Sequence, residues 1–423
     1  MKKKERKNRL LLKYILTFLC TGAICMVFLF LASCLPQKYI QDGSEKSAEY
    51  FMEQELFPCL KKGMQNTKYD NYADCLLFHI AYQMDAKKPF PSMIKAVYYD
   101  YPQGQVNEDF HAAVFEGKKA NTTYFRYWHG AVCLLRPLLC IWSVWGIRKA
   151  LGVCLLLLNV ALGILLWKKG QKGLFCIYFL SLLCVKIWIV AFSIEYIMAF
   201  ILMTAMIICF IFCEKAENWK IFQLSIISGV LTCFFDFLTV ETVTITVPLL
   251  FLAVMKQNEG RLASWKKEIG FATASCFFWG LSYGGMFFGK WLLAAAMMGK
   301  RVLGEVADTA GYRIAHGEGD GIFLRLYHAA AYNISCLFGD GEISVWIISA
   351  CLAAMAVLIW KGGTFQRLLL CLGMVPYLRF LILSGHSMEH YFFTYRAQII
   401  TIMAVGMVVW YKGKAVLKER KST

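Results

Sequence analysis

The chain has 423 residues, of which 58% are hydrophobic and 17% charged, with a mean hydropathy of +0.51. That balance excludes an ordinary soluble globule and describes a chain held mostly in lipid or in helix–helix contact. The formal net charge of +17 does not mark a nucleic-acid partner, because the basic residues gather at the ends and turns of apolar runs.

The N-terminus carries Lys2, Lys3, Lys4, Arg6, Lys7, Arg9 and Lys13, followed by an uncharged run from Tyr14 to Gln37. This pattern predicts a cytoplasmic basic segment over 1–13 and a first transmembrane helix over 14–34. Leu31-Ala32-Ser33-Cys34 resembles a lipoprotein cleavage box. The apolar run is longer than the roughly 7–15 residues of a signal core, which favours a retained anchor. Either outcome leaves the next segment outside.

Residues 35–146 are the one sizeable polar stretch, read as an extracytoplasmic loop with interfacial helices. Tyr69, Tyr72, Ala73, Leu76, Leu77, Ile80, Ala81 and Met84 follow the spacing of an amphipathic helix. Asp70 and Asp74 lie one turn apart on the edge of that stripe. One reading makes Asp70 the helix cap and Asp74 a partner of the N-terminal dipole. The other makes one of the two carboxylates a general base above the membrane surface. Cys59 and Cys75, both in this outer segment, could pair, but sequence does not establish it. The 17 cysteines otherwise form no metal or disulfide framework, since most sit within apolar runs. Tyr124-Phe-Arg-Tyr-Trp-His129-Gly mixes aromatic and basic residues as headgroup-layer anchors do. The apolar stretch from Ala131 to Trp145 is short and broken by Arg136-Pro137, so it is placed at the surface and not across the bilayer. Arg148 and Lys149 then stand awkwardly at the mouth of the next span.

Further spans are expected at about 147–167, 174–193, 196–213, 219–240, 242–256, 268–289, 343–360, 368–384 and 397–411, about ten with the first. Basic residues fill alternate turns and the tail at 412–423, which puts both termini in the cytoplasm. The expected architecture is an all-α polytopic membrane protein with transmembrane helices 2–7 in 147–289, a second outer loop at 290–342, and helices 8–10 in 343–411. Four ions are recessed in apolar runs on the outer side: Lys186, Asp236, Lys290 and Arg379. An ion in hydrocarbon needs a partner, a wet cavity or a route to the surface. They are read either as ion pairs fixing helix register or as a site for an anionic, lipid-linked ligand.

The second loop adds Arg313, while His316 to Gly321 reads as a linker without a phosphate-loop pattern. Gly385-His386-Ser-Met-Glu389-His390 has the His-x-x-Glu-His spacing of inverted zinc proteases, but no third ligand is evident. Histidines hydrogen-bonding a sugar, phosphate or headgroup are the simpler reading. Phe393-Thr-Tyr-Arg396 follows directly.

This layout resembles the GT-C glycosyltransferases, integral membrane enzymes that use polyprenyl-phosphate-linked sugars. Tyr127-Trp-His129-Gly with Leu135-Arg136-Pro137, Asp236-Phe-Leu-Thr, and His386-Ser-x-x-His390 with Phe393-Thr-Tyr-Arg396 look similar to bacterial members. The resemblance implies transfer of a sugar from the lipid carrier to an extracytoplasmic glycan acceptor, with Asp70 or Asp74 as base. The spacing here is Asp-Asn-Tyr-Ala-Asp instead of the familiar Asp-x-Asp, which leaves a divalent cation open. Arg136, Lys290, Arg313 and Arg379 would offset charge on the departing phosphate; Lys186, Asp236, His129, His386, His390 and Arg396 complete the candidate set. Two other classes remain. A lipid-linked-saccharide flippase needs charges through both leaflets, and a membrane zinc protease needs a third ligand beside His386 and His390.

Overall fold

The computed structural model describes residues 2–235, 238–315, 321–338 and 360–420, with Ala354, Met355 and Val357 between the last two stretches. Among these residues the chain is mostly helical, with one short antiparallel ladder, β1 (Val97–Tyr98) on β2 (Thr122–Thr123). Among the described residues six segments are long and apolar enough to cross a bilayer: Glu5–Ser33, Val144–Lys168, Ile194–Phe212, Asn218–Phe235, Thr364–Ile382 and Tyr391–Lys414. This is a membrane-protein pattern. The expected span at 343–360 lies almost wholly outside the described residues.

Helix α1 (Lys2–Ser33) carries its basic residues at the start, and Leu12, Leu16, Leu19 and Val27 stand exposed along it. Such an exposed apolar face suits a lipid environment better than water. A cap follows, built from α2 (Gln41–Glu53), α3 (Asn71–Gln83), α4 (Pro89–Lys95) and α5 (Val106–Phe115). Its core is aromatic: Phe51 meets Phe78 edge-on at 5.7 Å and Phe110 at 6.4 Å. Helix α3 was expected to show one apolar stripe, yet it is buried from Cys75 to Tyr82 on every side. His79 and Phe78, off the stripe, are buried too, so α3 is the cap's central helix. Cys75 is a thiol, its sulfur 3.5 Å from the Val106 carbonyl, and not half of a disulfide.

The short α6 (Val132–Leu139) carries Arg136-Pro137 and joins the cap to α7 (Val144–Lys168). Gly43 of α2 lies so close to the Leu139 carbonyl that a Cβ there would overlap it. The bundle continues with α8 (Lys172–Cys184), α9 (Ile194–Phe212), α10 (Asn218–Phe235), α11 (Val243–Asn258) and α12 (Trp265–Met298). Helix α9 is its axis, buried along most of its length and packed on α7, α10 and α11. The expected span at 174–193 is broken: α8 stops at Cys184, Lys186 turns left-handed (φ 52°), and Ile187–Phe192 is a 3-10 turn. Helix α12 runs on to Met298, and α13 (Arg301–Ala315) and α14 (Ile322–Phe338) follow, so 290–342 is mostly helical where described. Helices α15 (Thr364–Gly373), α16 (Val375–Ile382), α17 (Ser384–Glu389), α18 (Tyr391–Thr394) and α19 (Ile399–Arg420) close the chain. Helix α14 packs against α17, and Asn66 of the cap donates to the Cys336 carbonyl at 2.9 Å.

Candidate functional site

The two acids at the start of α3 part company. Asp70 is the N-cap: its side chain accepts from the Ala73 N–H at 2.7 Å, which satisfies one of the helix's orphan donors. Its carboxyl also lines a cavity of about 330 Å³ between the cap and the bundle. Burial pushes that carboxyl up to about 7, the Ala73 bond pulling it down and the Asp74 charge adding to the rise. Ionisation is disfavoured because few dipoles replace the lost water.

Asp74 points the other way. It takes Nε of Arg148 at 2.9 Å and Nη2 at 2.6 Å, then the Ile194 N–H at 2.9 Å and the Glu195 N–H at 3.3 Å. The carboxylate thus caps α9 across space while neutralising a guanidinium only 1% exposed. Arg148, awkward at a membrane mouth, is explained by this acid. Asp74 joins α3, α7 and α9 and is not among the cavity's lining residues.

The cavity wall brings together residues far apart in sequence. Asp70, Tyr72, Tyr124, Tyr127 and His129 come from the cap, Glu195 from α9, Arg313 from α13, and His386, Glu389, His390 and Phe393 from the last third. A second chamber of about 440 Å³ adjoins it, sharing Arg313, His386, Glu389 and His390 and adding Arg126, Asp308 and Tyr312. Arg313 lies 5.2 Å from the Tyr127 ring centre, a cation on a π-face. One of its terminal nitrogens is buried without a hydrogen-bond partner among the described residues.

The histidines in this wall are neutral. His129 sits at φ 52°, and its Nε2 lies 2.8 Å from the Tyr124 carbonyl, so that nitrogen carries the proton. Burial lowers its affinity for a second proton to a pKa of about 3. His386 places Nε2 2.9 Å from the Leu238 carbonyl; burial first, then Arg379, hold it well below the ordinary imidazole range. His390 is lowered to about 4 by burial and by Arg313. The His386 and His390 rings are 4.6 Å apart.

Most of the recessed cations serve the backbone. Arg136 donates to the carbonyls of Ala81 at 2.6 Å and Met84 at 3.1 Å, and also to Leu35, which satisfies carbonyls left open at the C-terminus of α3. Lys290 does the same for α4, donating to Met93 at 2.9 Å and Ile94 at 2.8 Å. Arg379 pairs with Glu241 at 2.9 Å and donates to the Leu238 carbonyl at 2.6 Å and Ser387 at 3.1 Å. Arg396 lies 5.1 Å from the Tyr196 ring centre and 4.8 Å from that of Tyr395, donating to Phe392 at 3.1 Å. These four, Lys186 and Asp74 are not among the cavity's lining residues, whereas Asp70, His129, Arg313, His386 and His390 are. Asp236 lies outside the described residues.

Among the other lining residues, Glu195, Phe57 and Tyr124 stand outside the candidate set read from the sequence, and Glu389 entered it only through the zinc-protease alternative. Glu195 had a signal: it is a lone carboxylate in the first turn of an otherwise apolar helix. Among the described residues no three His, Cys, Asp or Glu side chains are grouped so as to hold a metal ion. The chain matches no family model, and no curated protein or solved structure matches it.

Proposed function

We propose that this chain is an integral membrane glycosyltransferase that moves a sugar from a polyprenyl-phosphate carrier to an acceptor hydroxyl on the extracytoplasmic face. In this reading about ten helices cross the bilayer, both termini are cytoplasmic, and the cap lies outside. The observation that carries it is one hollow lined by both Asp70 from the cap and Arg313 from α13. Asp70 accepts the proton of the acceptor hydroxyl as that oxygen bonds to the anomeric carbon. The bond between that carbon and the phosphate oxygen breaks, and the polyprenyl phosphate leaves with the electron pair. Arg313 meets the charge that grows on the leaving oxygen. A carboxyl held near neutrality is suited to this work, since a base is most effective when its pKa lies near the operating pH. Tyr124, Tyr127 and Phe393 line the same hollow and offer flat faces to a sugar ring. Among the described residues no three His, Cys, Asp or Glu side chains are grouped to hold a divalent cation, and no step is assigned to one.

The test is release of free polyprenyl phosphate from a panel of polyprenyl-phosphate-linked sugars by the purified, folded protein in liposomes. Turnover of at least one member is expected. No release from any member, with a hydroxyl acceptor in excess, would sink the reading.

A further inference from the structure

We propose that His386 reads its ligand as a hydroxyl group: its Nε2–H is committed to the Leu238 carbonyl, and its Nδ1 lone pair accepts from a ligand O–H. The inference rests on the glycosyl-transfer reading for the ligand's class, a polyhydroxylated sugar or acceptor. The geometry has three parts. A carbonyl oxygen only accepts, so the 2.9 Å contact with Leu238 puts the proton on Nε2 and leaves Nδ1 bare. His386 is 3% exposed and Nδ1 has no hydrogen-bond partner among the described residues, yet the side chain lines both chambers. A buried acceptor left open is unfavourable, and a ligand donor relieves that on binding.

The tautomer is fixed from behind. Leu238 has φ 68°, an uncommon conformation for a branched residue, and its carbonyl gathers both His386 Nε2 and Arg379 Nη2. Arg379 is held in turn by Glu241 and Ser387. Leu238 and Arg379 are therefore positioning residues. The charged groups facing the ring, Arg379 and Arg313, together with His390, oppose a second proton on it, so Nδ1 stays an acceptor at neutral pH. A phosphate dianion has no proton to give to such a nitrogen. The anion is thereby directed away from His386, and Arg313 is the guanidinium shared by both chambers.

The experiment uses the full chain in detergent with its seven histidines labelled with 15N in the ring, and His386→Gln to assign the signals. Methyl glucoside, methyl N-acetylglucosaminide and inorganic phosphate are titrated separately. The expected result is a neutral ring protonated at Nε2, whose Nδ1 resonance moves with at least one glycoside and stays still with phosphate. A proton on Nδ1, a shift with phosphate alone, or no shift with any probe overturns the inference. The polyprenyl-phosphate release assay separates the two ideas. Glycoside response without turnover defeats the transferase reading alone, and turnover without a response at Nδ1 defeats the His386 assignment alone.

Discussion

Asp74→Ala is the sharpest perturbation of the fold. It removes the acceptor for two guanidinium contacts of Arg148, at 2.9 and 2.6 Å, and for the first N–H groups of α9. Arg148 would then be an unpaired charge at 1% exposure, which costs about 3–5 kcal/mol. The lost cap on α9 adds about 1 kcal/mol. The two together come to about 4–6 kcal/mol, a large share of a typical domain's stability of roughly 5–15 kcal/mol, so the variant should be strongly destabilised. The double variant Asp74→Leu with Arg148→Met removes both charges, and should recover most of the loss because apolar replacements of buried pairs are often neutral. Equilibrium unfolding in detergent, followed by tryptophan fluorescence, measures both. A single variant within 1 kcal/mol of wild type, or a double variant no better than the single, would refute the argument that this carboxylate holds the cap to the bundle.

Asp70→Asn should behave in the opposite sense. The folded-state carboxyl is raised to about 7 from an ordinary value of 3.8, so Asp70 favours folding while protonated and that contribution fades as pH rises through that window. Asn keeps the cap, so the variant's melting temperature should match wild type at pH 4 and exceed it at pH 8; equal curves at both would contradict the raised carboxyl. Lys290→Met leaves the Met93 and Ile94 carbonyls without their donor, a loss of about 1–3 kcal/mol in unfolding experiments, with KM unchanged if the lysine serves the backbone alone. Gly43→Ala forces a Cβ into the Leu139 carbonyl, so α2 must shift, and protease nicking of the cap should rise several-fold over wild type.

Six long apolar helices were readable from hydropathy, because a bilayer demands long apolar runs, and the capping of α3 by Asp70 was readable because N-caps are local. The recessed charges were less legible. Arg136, Lys290 and Arg379 stand in apolar segments as a ligand site would require, but they bind carbonyls of α3, of α4 and of Leu238, and a carboxylate on Glu241. A charge that satisfies a distant helix end looks the same in sequence as one that awaits an anion. Arg148 shows the same limit from the other side, since its partner lies 74 positions earlier. The cavity itself draws on α3, α9, α13 and α17, and no spacing rule brings residues 70, 195, 313 and 386 together.

The most direct measurement is the rate of polyprenyl phosphate release by Asp70→Asn beside the wild-type protein, with a matched melting curve showing that both are folded. A general base contributes about 10²–10⁴-fold, so the variant should fall by at least that lower bound. A folded Asp70→Asn protein that turns over at the wild-type rate would contradict the account.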